Sequence, residues 1–389
     1  MTGGSGRKYD VNGFIFGIFS QGSRKDERFS AAGKTAVAAS SGFRMNSHER
    51  TTVRDVARKA NVSVATVSRV LNTPSLVRAP TRSRVLKAMK DTHYVYNALA
   101  GGLSARKTTI LGVIIPTITN PVFAMVTKGI QDYSRQQGYS VLLGNTDYNE
   151  DNEMGLIHLM QEKRADGVIL NGPWSGAPIV PLMKKTRLPF VITWQTAEDR
   201  GVNFVAFDNF RSAYRIVEYL FGLGHRRIGM IAGKFSVSER ARIRWKGYRK
   251  CLTDHRLPFD PELVLEKGYT LADGKEAMSR LLQLPTPPTA VFCGNDILAI
   301  GAIVCAKEQG LRVPRDLSIV GFDDLEISAY YDPPLTTMAV PAYEMGRMAA
   351  KILIENIRGE INTPQQYILE TKLMIRGSTD KKENPERGS

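Results

Sequence analysis

Residues 54–72 read RDVARKANVSVATVSRVLN, and their spacing decides the character of the first domain. Val53, Val56, Ala57 and Ala60 recur at i, i+3, i+4 and i+7, the period of one helix face. Thr52 suits the N-cap, with Asp55 three residues on. Asn61 and Val62 supply a tight turn. Ser63 then caps a second helix whose Val67, Val70 and Leu71 face inward, and Asn72, Thr73 and Pro74 stop it. Pro80 and Thr81 open a third helix, with Val85, Leu86 and Met89 apolar and Arg82, Arg84, Lys87 and Lys90 between them. This is helix-turn-helix spacing. Its second helix exposes Val64, Ala65, Ser68 and Arg69, where such a helix meets base edges in the major groove. Arg69 suits a bidentate guanine contact, and Val64 and Ala65 suit thymine methyls or a plain fit to the groove. Thr52, Ser63, Thr66 and Asn72 complete the DNA-facing set in residues 51–96. The bland alternative is a three-helix bundle with a solvated basic face.

Charge decides between these. The chain of 389 residues carries a formal net charge of +15. Residues 51–109 hold 11 Lys and Arg against 2 acidic residues, whereas residues 110–389 hold 34 against 32. A basic module joined to a near-neutral remainder is the pattern of a nucleic-acid-binding domain on an ordinary soluble one. Residues 1–50 are rich in Gly, Ser and charge without period, and read as a poorly ordered basic extension. Met45 is a candidate translation start within it. Residues 97–109, NALAGGLSARKTT, read as a linker. No apolar run reaches the length of a membrane span, and no clean secretory signal opens the chain. Cys251, Cys293 and Cys305 are too few and too scattered for a disulfide framework or a closed zinc site. The expectation is a cytoplasmic protein without metal or cofactor.

From Ile110 the grammar changes. Strand-like runs ILGVIIP, YSVLLGN, DGVILNG, FVIT, RRIGMIAG, AVFCGND and LSIVGFDD recur about every 30 residues, with helical patterns between them. Apolar strands alternating with helices imply parallel sheets covered on both faces. Seven strands over this length fit two doubly wound lobes.

The motifs V-R-D-V-A-x-x-A-x-V-S-x-A-T-V-S-R-V-L-N, then Y-V-x-N-A-L-A-x-x-L, then I-L-G-V-I-I-P resemble the LacI/GalR family of bacterial transcription regulators. The resemblance spans roughly residues 51–379. It extends to LGHRRIGMIAG (223–233), FCGND (292–296), VPRDLSIVGFDD (313–324) and PLTTM (334–338). It implies an all-α helix-turn-helix headpiece (51–96), a hinge (97–109) and an α/β periplasmic-binding-protein-like (type I) two-lobed domain with parallel sheets (110–379). Residues 380–389 are left as a frayed tail. The implied lobes are residues 110–194 with 340–366, and 195–338 with 367–379. They are crossed near Thr193–Gln195, Met338–Pro341 and Gln366–Ile368. The resemblance also implies a hinge helix that folds on operator DNA, with Asn97 and Ala100 in contact and Leu103 wedged into the minor groove. Gly101 and Gly102 depart from the family there and weaken the hinge as a helix.

Ligands of open α/β sheets sit at the carboxyl ends of strands. That rule and the resemblance point to Asn120, Phe123, Trp174, Trp194, Arg244, Asn295 and Asp323 as effector contacts, Arg244 through R-x-x-G-Y at 244–248. Trp174 and Trp194 read equally as core residues, Asp296 as a helix cap, and Arg240 and Arg242 as a solvated face. Ala339, Val340, Pro341 and Ala342 stand where some relatives carry a polar effector contact. No P-loop, nucleophile elbow or H-E-x-x-H motif is present. His48, His93, His158, His225 and His255 are isolated, with His225 read as a helix C-cap. The expectation is a non-enzymatic repressor. It binds a palindromic operator as a homodimer and is controlled by a small ligand, a sugar or derivative. Helices at 121–137 and 154–163 are expected at the dimer interface. The rival is a solute-binding protein, which would bind ligand but no operator.

Overall fold

The computed structural model describes residues 51–94, 108–172, 179–197 and 199–382. Three helices form the headpiece: α1 (Val53–Ala60), α2 (Val64–Asn72) and α3 (Ala79–Asp91). The Asp55 carboxylate accepts from the Thr52 N–H and hydroxyl, which fixes the entry to α1. Asn61 ends α1 in the left-handed region at φ 51°, a conformation that Asn tolerates, and so turns the chain into α2. Ser63 caps α2 by accepting from the Thr66 N–H. Val56, Ala57, Val67, Val70, Val85 and Ala88 close a small core of their own. A donation from the Thr51 hydroxyl to the Thr92 carbonyl ties the two ends of the headpiece together.

The remainder builds two six-stranded sheets. Lobe one holds β1 (Ile110–Ile115), β2 (Ser140–Asn145), β3 (Gly167–Leu170), β4 (Phe190–Thr193), β5 (Asn203–Phe207) and β11 (Gln366–Leu369), in the order β11-β5-β4-β3-β1-β2. All its pairings are parallel. Lobe two holds β6 (Ile228–Gly233), β7 (Val264–Lys267), β8 (Ala290–Cys293), β9 (Ser318–Asp323), β10 (Thr336–Ala339) and β12 (Lys372–Met374), in the order β12-β10-β9-β8-β6-β7. Its one antiparallel pair is β10–β12. In each sheet the first strand lies between the second and the third. The order therefore reverses there and leaves a crevice at the carboxyl ends.

Several expectations need correction. The first crossing lies after Phe207, not at Thr193–Gln195, because NFVAF forms β5 beside β4. The third lies at Glu370–Thr371, because Gln366–Leu369 pairs with β5 in lobe one. The second lies where it was expected, near Met338–Pro341, between β10 and the helix that begins at Ala342. The tail is held as far as Lys382: the Asp380 N–H donates to the Ser318 hydroxyl and the Lys382 N–H to the Leu223 carbonyl. His225 does close the helix ending at Gly222, its N–H donating to the Leu220 carbonyl, but it does more than cap. Its buried ring bonds Thr289, Ser318 and the Asp380 carbonyl, pinning that end.

The helices between strands are α4 (Pro121–Gln136), α5 (Glu150–Glu162), α6 (Ile179–Thr186), α7 (Asn209–Gly222), α8 (Glu239–Asp254), α9 (Leu271–Leu282), α10 (Asp296–Glu308), α11 (Glu326–Tyr330) and α12 (Ala342–Arg358). Among them α4 and α12 touch backbone to backbone at glycines. A Cβ on Gly129 would stand 2.1 Å from the Tyr343 carbonyl oxygen, and one on Gly346 would stand 2.1 Å from that of Val126. Alanine at Gly346 would gain about 1 kcal/mol of helix propensity. It would also force two buried backbones apart, and overpacking of that kind costs about 1–3 kcal/mol. The clash is with backbone rather than a flexible side chain, so the penalty wins. Gly346→Ala is expected to lower stability by about 1–2 kcal/mol in urea unfolding, whereas an unchanged midpoint would show that the helices can separate at no cost.

Candidate functional site

The headpiece presents α2 as expected of a reading helix. Val67 and Val70 are buried, while Val64, Ala65, Ser68 and Arg69 are exposed along one face. Ser63 and Thr66 bond each other at 2.9 Å at the amino end. Their hydroxyls hold the helix terminus in place and remain at the surface. Thr52 is likewise exposed, its hydroxyl donating to Asp55. Asn72 closes α2. Asn97, Ala100 and Leu103 of the hinge lie outside the described residues, as does Trp174.

The second site lies between the lobes, at the reversal of both sheets. Residues from separate strand ends converge on one small cavity: Asn120 and Phe123 after β1, Tyr148 after β2, and Trp194 after β4. Lobe two contributes Arg240 and Arg244 from α8, Tyr269 after β7, Asn295 after β8, and Asp323 at the end of β9. Every effector-site residue expected from the sequence, Trp174 aside, is therefore in one place.

Their environments differ. Arg244 is buried, its Nε 2.9 Å from the Asn209 Oδ1, its Nη1 2.6 Å from the Gly294 carbonyl, and its guanidinium 3.6 Å from the centre of the Phe322 ring. Burial works against its charge, and Asp323 supports it. Burial pushes the Asp323 carboxyl up to about 7, although Arg244 pulls it down. Trp194 packs between Phe123 and Phe207 with ring centres 5.3 and 5.7 Å away, so it is a wall as much as a core residue. Its Nε1–H is buried without an acceptor among the described residues, and the Nδ2 of Asn295 is buried without a partner too. Such orphaned donors are costly unless something accepts from them. The backbones of Tyr148, Trp194 and Asp323 all take positive φ, at 58°, 73° and 115°. Strain of this kind collects where a ligand is held.

Three details depart from expectation. Asn295, not Asp296, caps α10, its Oδ1 accepting from the Leu298 N–H. Asp296 is buried and accepts from the Leu325 N–H and the Ser328 and Thr337 hydroxyls, so it braces lobe two; burial pushes its carboxyl up to about 6. Arg240 is no solvated residue. It is buried, donates to the Asn171 carbonyl of lobe one at 3.2 Å, and lies over Phe123 and Trp194. Arg242 is half-buried, with its outer guanidinium paired with Glu239. Tyr148 and Tyr269 were not singled out in the sequence; their rings stack across the cleft at 5.4 Å. The i, i+4 spacing of Arg240 and Arg244 was the one signal that placed both arginines on one face of α8.

Residues 52–97 match the model of the lacI family of bacterial regulatory proteins, and residues 217–379 match that of a periplasmic binding protein-like domain. The HTH-type transcriptional repressor CytR of Escherichia coli (strain K12) is 38% identical over 330 residues, 84% of this chain and 96% of CytR. The chain belongs to the lacI family. Membership makes it a DNA-binding transcription regulator with a helix-turn-helix headpiece on a two-sheet, periplasmic-binding-protein-like domain. Among solved structures, the lac repressor dimer bound to operator and the anti-inducer ONPF is 29% identical, with a TM-score of 0.76 over 85% of this chain and all of that one. The regulator CelR in complex with cellobiose is also 29% identical, with a TM-score of 0.64 over the same shares. Among the described residues no helix is long and apolar enough to cross a membrane, and no group of His, Cys, Asp and Glu is placed to hold a metal.

The carboxyl of Asp323 makes a testable link to pH. Its folded value near 7 lies above the ordinary 3.8, so between the two the native state holds a proton that the unfolded chain releases. Native stability therefore falls as pH rises through that window. Against Asp323→Asn, the wild-type protein is expected to lose stability progressively from about pH 4 to about pH 7 in urea unfolding, with no further loss above it; a constant difference would mean that Asp323 is ionised throughout.

Proposed function

We propose that this regulator is a repressor that reads a palindromic operator as a homodimer, one α2 helix per half-site, and that a sugar or sugar derivative in the interlobe cleft controls it. The pairing of two features carries the reading: an exposed helix over an independent basic headpiece, and a cleft in which both lobes bury polar groups around one cavity. Arg69 is the base-reading residue, supported by Val64, Ala65 and Ser68. Thr52, Ser63, Thr66 and Asn72 set the helix against the backbone. Asn97, Ala100 and Leu103 form the hinge contact with the minor groove, and α4 and α5 the dimer face. The protein acts in the cytoplasm and carries out no reaction.

In the cleft, Arg244 and Asp323 hold ligand hydroxyls, while the Trp194 Nε1–H and Asn295 Nδ2 supply the donors that the protein leaves unsatisfied. Phe123 and Trp194 give a sugar its apolar face. Asn120 caps α4 by accepting from the Val122 N–H, and its side chain also hydrogen-bonds the Asp323 carboxyl across the site. Trp174 belongs to the same set. Cellobiose bound to CelR supports the carbohydrate class, and the operator-bound lac repressor supports the DNA reading. Control follows from differential affinity. Arg240 and the tyrosine pair join the lobes in this arrangement, so a ligand that binds better in another arrangement moves the lobes, and with them the two hinges.

Two substitutions separate the sites. On operator selected from genomic fragments, Arg69→Ala is expected to lose about 10–100-fold in affinity with little loss on random DNA, in line with the worth of one bidentate base contact. Equal loss on both would make Arg69 a phosphate contact. Arg244→Ala is expected to leave operator binding intact, because the headpiece has its own core, and to abolish the ligand response in the same binding assay. A fully responsive variant would place the effector elsewhere.

A further inference from the structure

The interlobe cleft has two compartments, and Tyr148 and Tyr269 stand between them. The inner one, around Arg244 and Asp323, offers about 20 Å³, room for about one water molecule. The outer one holds about 400 Å³, which is the scale of a small-molecule site. Thr117, Thr119, Asp147, Lys234, Lys267 and Thr270 line it, and it shares Asn120 and both tyrosines with the inner one.

Tyr269 is a fixed wall. Its hydroxyl lies where a side chain on Gly233 would have to go, with a Cβ only 1.9 Å away, and donates to the Ser238 hydroxyl at 3.3 Å. Tyr148 reaches it from the other lobe on a strained loop, with Asp147 and Tyr148 both at positive φ (52° and 58°). The two rings meet 27° from parallel. An aromatic wall that one side chain already covers by stacking is suited to stacking on a ring.

The charges around the outer compartment cancel. Lys267 is paired with Glu276 at 2.5 Å, and Lys234 and Asp147 carry opposite signs. Thr117 and Thr119 bond each other and Thr270 is engaged with Asp273 at the start of α9, so their hydroxyls offer a ligand chiefly remaining acceptor lone pairs. Such a lining disfavours a strongly charged ligand and suits a neutral, hydroxyl-rich ring lying against an aromatic face.

We propose that the outer compartment is a second ligand subsite, so that the effector is a neutral disaccharide-sized molecule with one unit inside the tyrosine pair and one outside. This rests on the carbohydrate reading of the cleft. Admission of the inner unit requires Tyr148 to leave Tyr269, and the outer unit then takes the side of Tyr269 that faces Lys234 and Asp147.

Titration calorimetry of the full-length protein tests it. The probes are glucose, galactose, mannose and ribose, against cellobiose, maltose, lactose and trehalose. At least one disaccharide is expected to bind about tenfold or more tightly than either of its constituent units. The double variant Lys234→Ala, Asp147→Asn alters only exposed side chains, and Asn tolerates the left-handed backbone. It is expected to remove that advantage and to leave monosaccharide binding unchanged. A monosaccharide that binds as tightly as the best disaccharide overturns the second subsite alone, and so does a variant that weakens both classes equally. If no sugar binds, or if Arg244→Ala binds with wild-type affinity, the carbohydrate reading of the cleft falls and takes the subsite with it.

Discussion

A guanidinium taken out of water must find acceptors, and Arg244 finds them in distant parts of the chain. The acceptors are Asn209 at the start of α7 and Gly294 just after β8, while Asp323 at the end of β9 supplies the opposing charge. Asn209 in turn donates to the Trp194 carbonyl at 3.0 Å. One buried charge therefore ties the wall of lobe one to the strand ends of lobe two. A buried charge left without partners would cost several kcal/mol, so these loops are held in one arrangement about it. The same demand fixes where the cleft can form.

The near-neutral state of Asp323 follows from this arrangement. Burial acts first on the Asp323 carboxyl, and the buried Asp296 carboxyl adds to its cost of ionisation, against the pull of Arg244. Asp296 satisfies itself with an N–H and two hydroxyls from within lobe two. Asp323 has no such set and faces the cavity. One acid thus braces the lobe, while the other keeps its capacity for an incoming group. The two differ in their partners rather than in residue type.

Much of this was legible in the sequence, and the exceptions have physical causes. The headpiece could be read because its caps, turn and apolar period are local. The strand ends could be read because parallel strands buried on both faces are continuous apolar runs. Strand β11 escaped because Gln366–Leu369 is an exposed edge with little apolar period, and β5 was passed over although Phe204–Phe207 is a buried apolar run. Both misplaced crossings trace to them. Asn295 and Asp296 were both in view, but neighbouring polar residues at a helix start compete for the cap, and only the backbone decides which one takes it.

Tyr148 and Tyr269 carry the most general lesson. Neither belongs to a motif, and 120 positions separate them in the chain. Each sits in the loop after the strand that follows its lobe's first strand, and the two sheets have the same order. Two doubly wound lobes facing each other bring equivalent loops together at the mouth of the cleft. A residue in such a loop is placed by the symmetry of the fold rather than by its local sequence. The ring on one lobe therefore meets the ring on the other wherever both loops carry one. That contact closes the inner compartment to anything larger than water, and it makes the width of the mouth depend on how the lobes stand. Occupancy of the cleft and lobe geometry are then two descriptions of the same movement, and a ligand regulates this chain to the extent that it changes what the two tyrosines can touch.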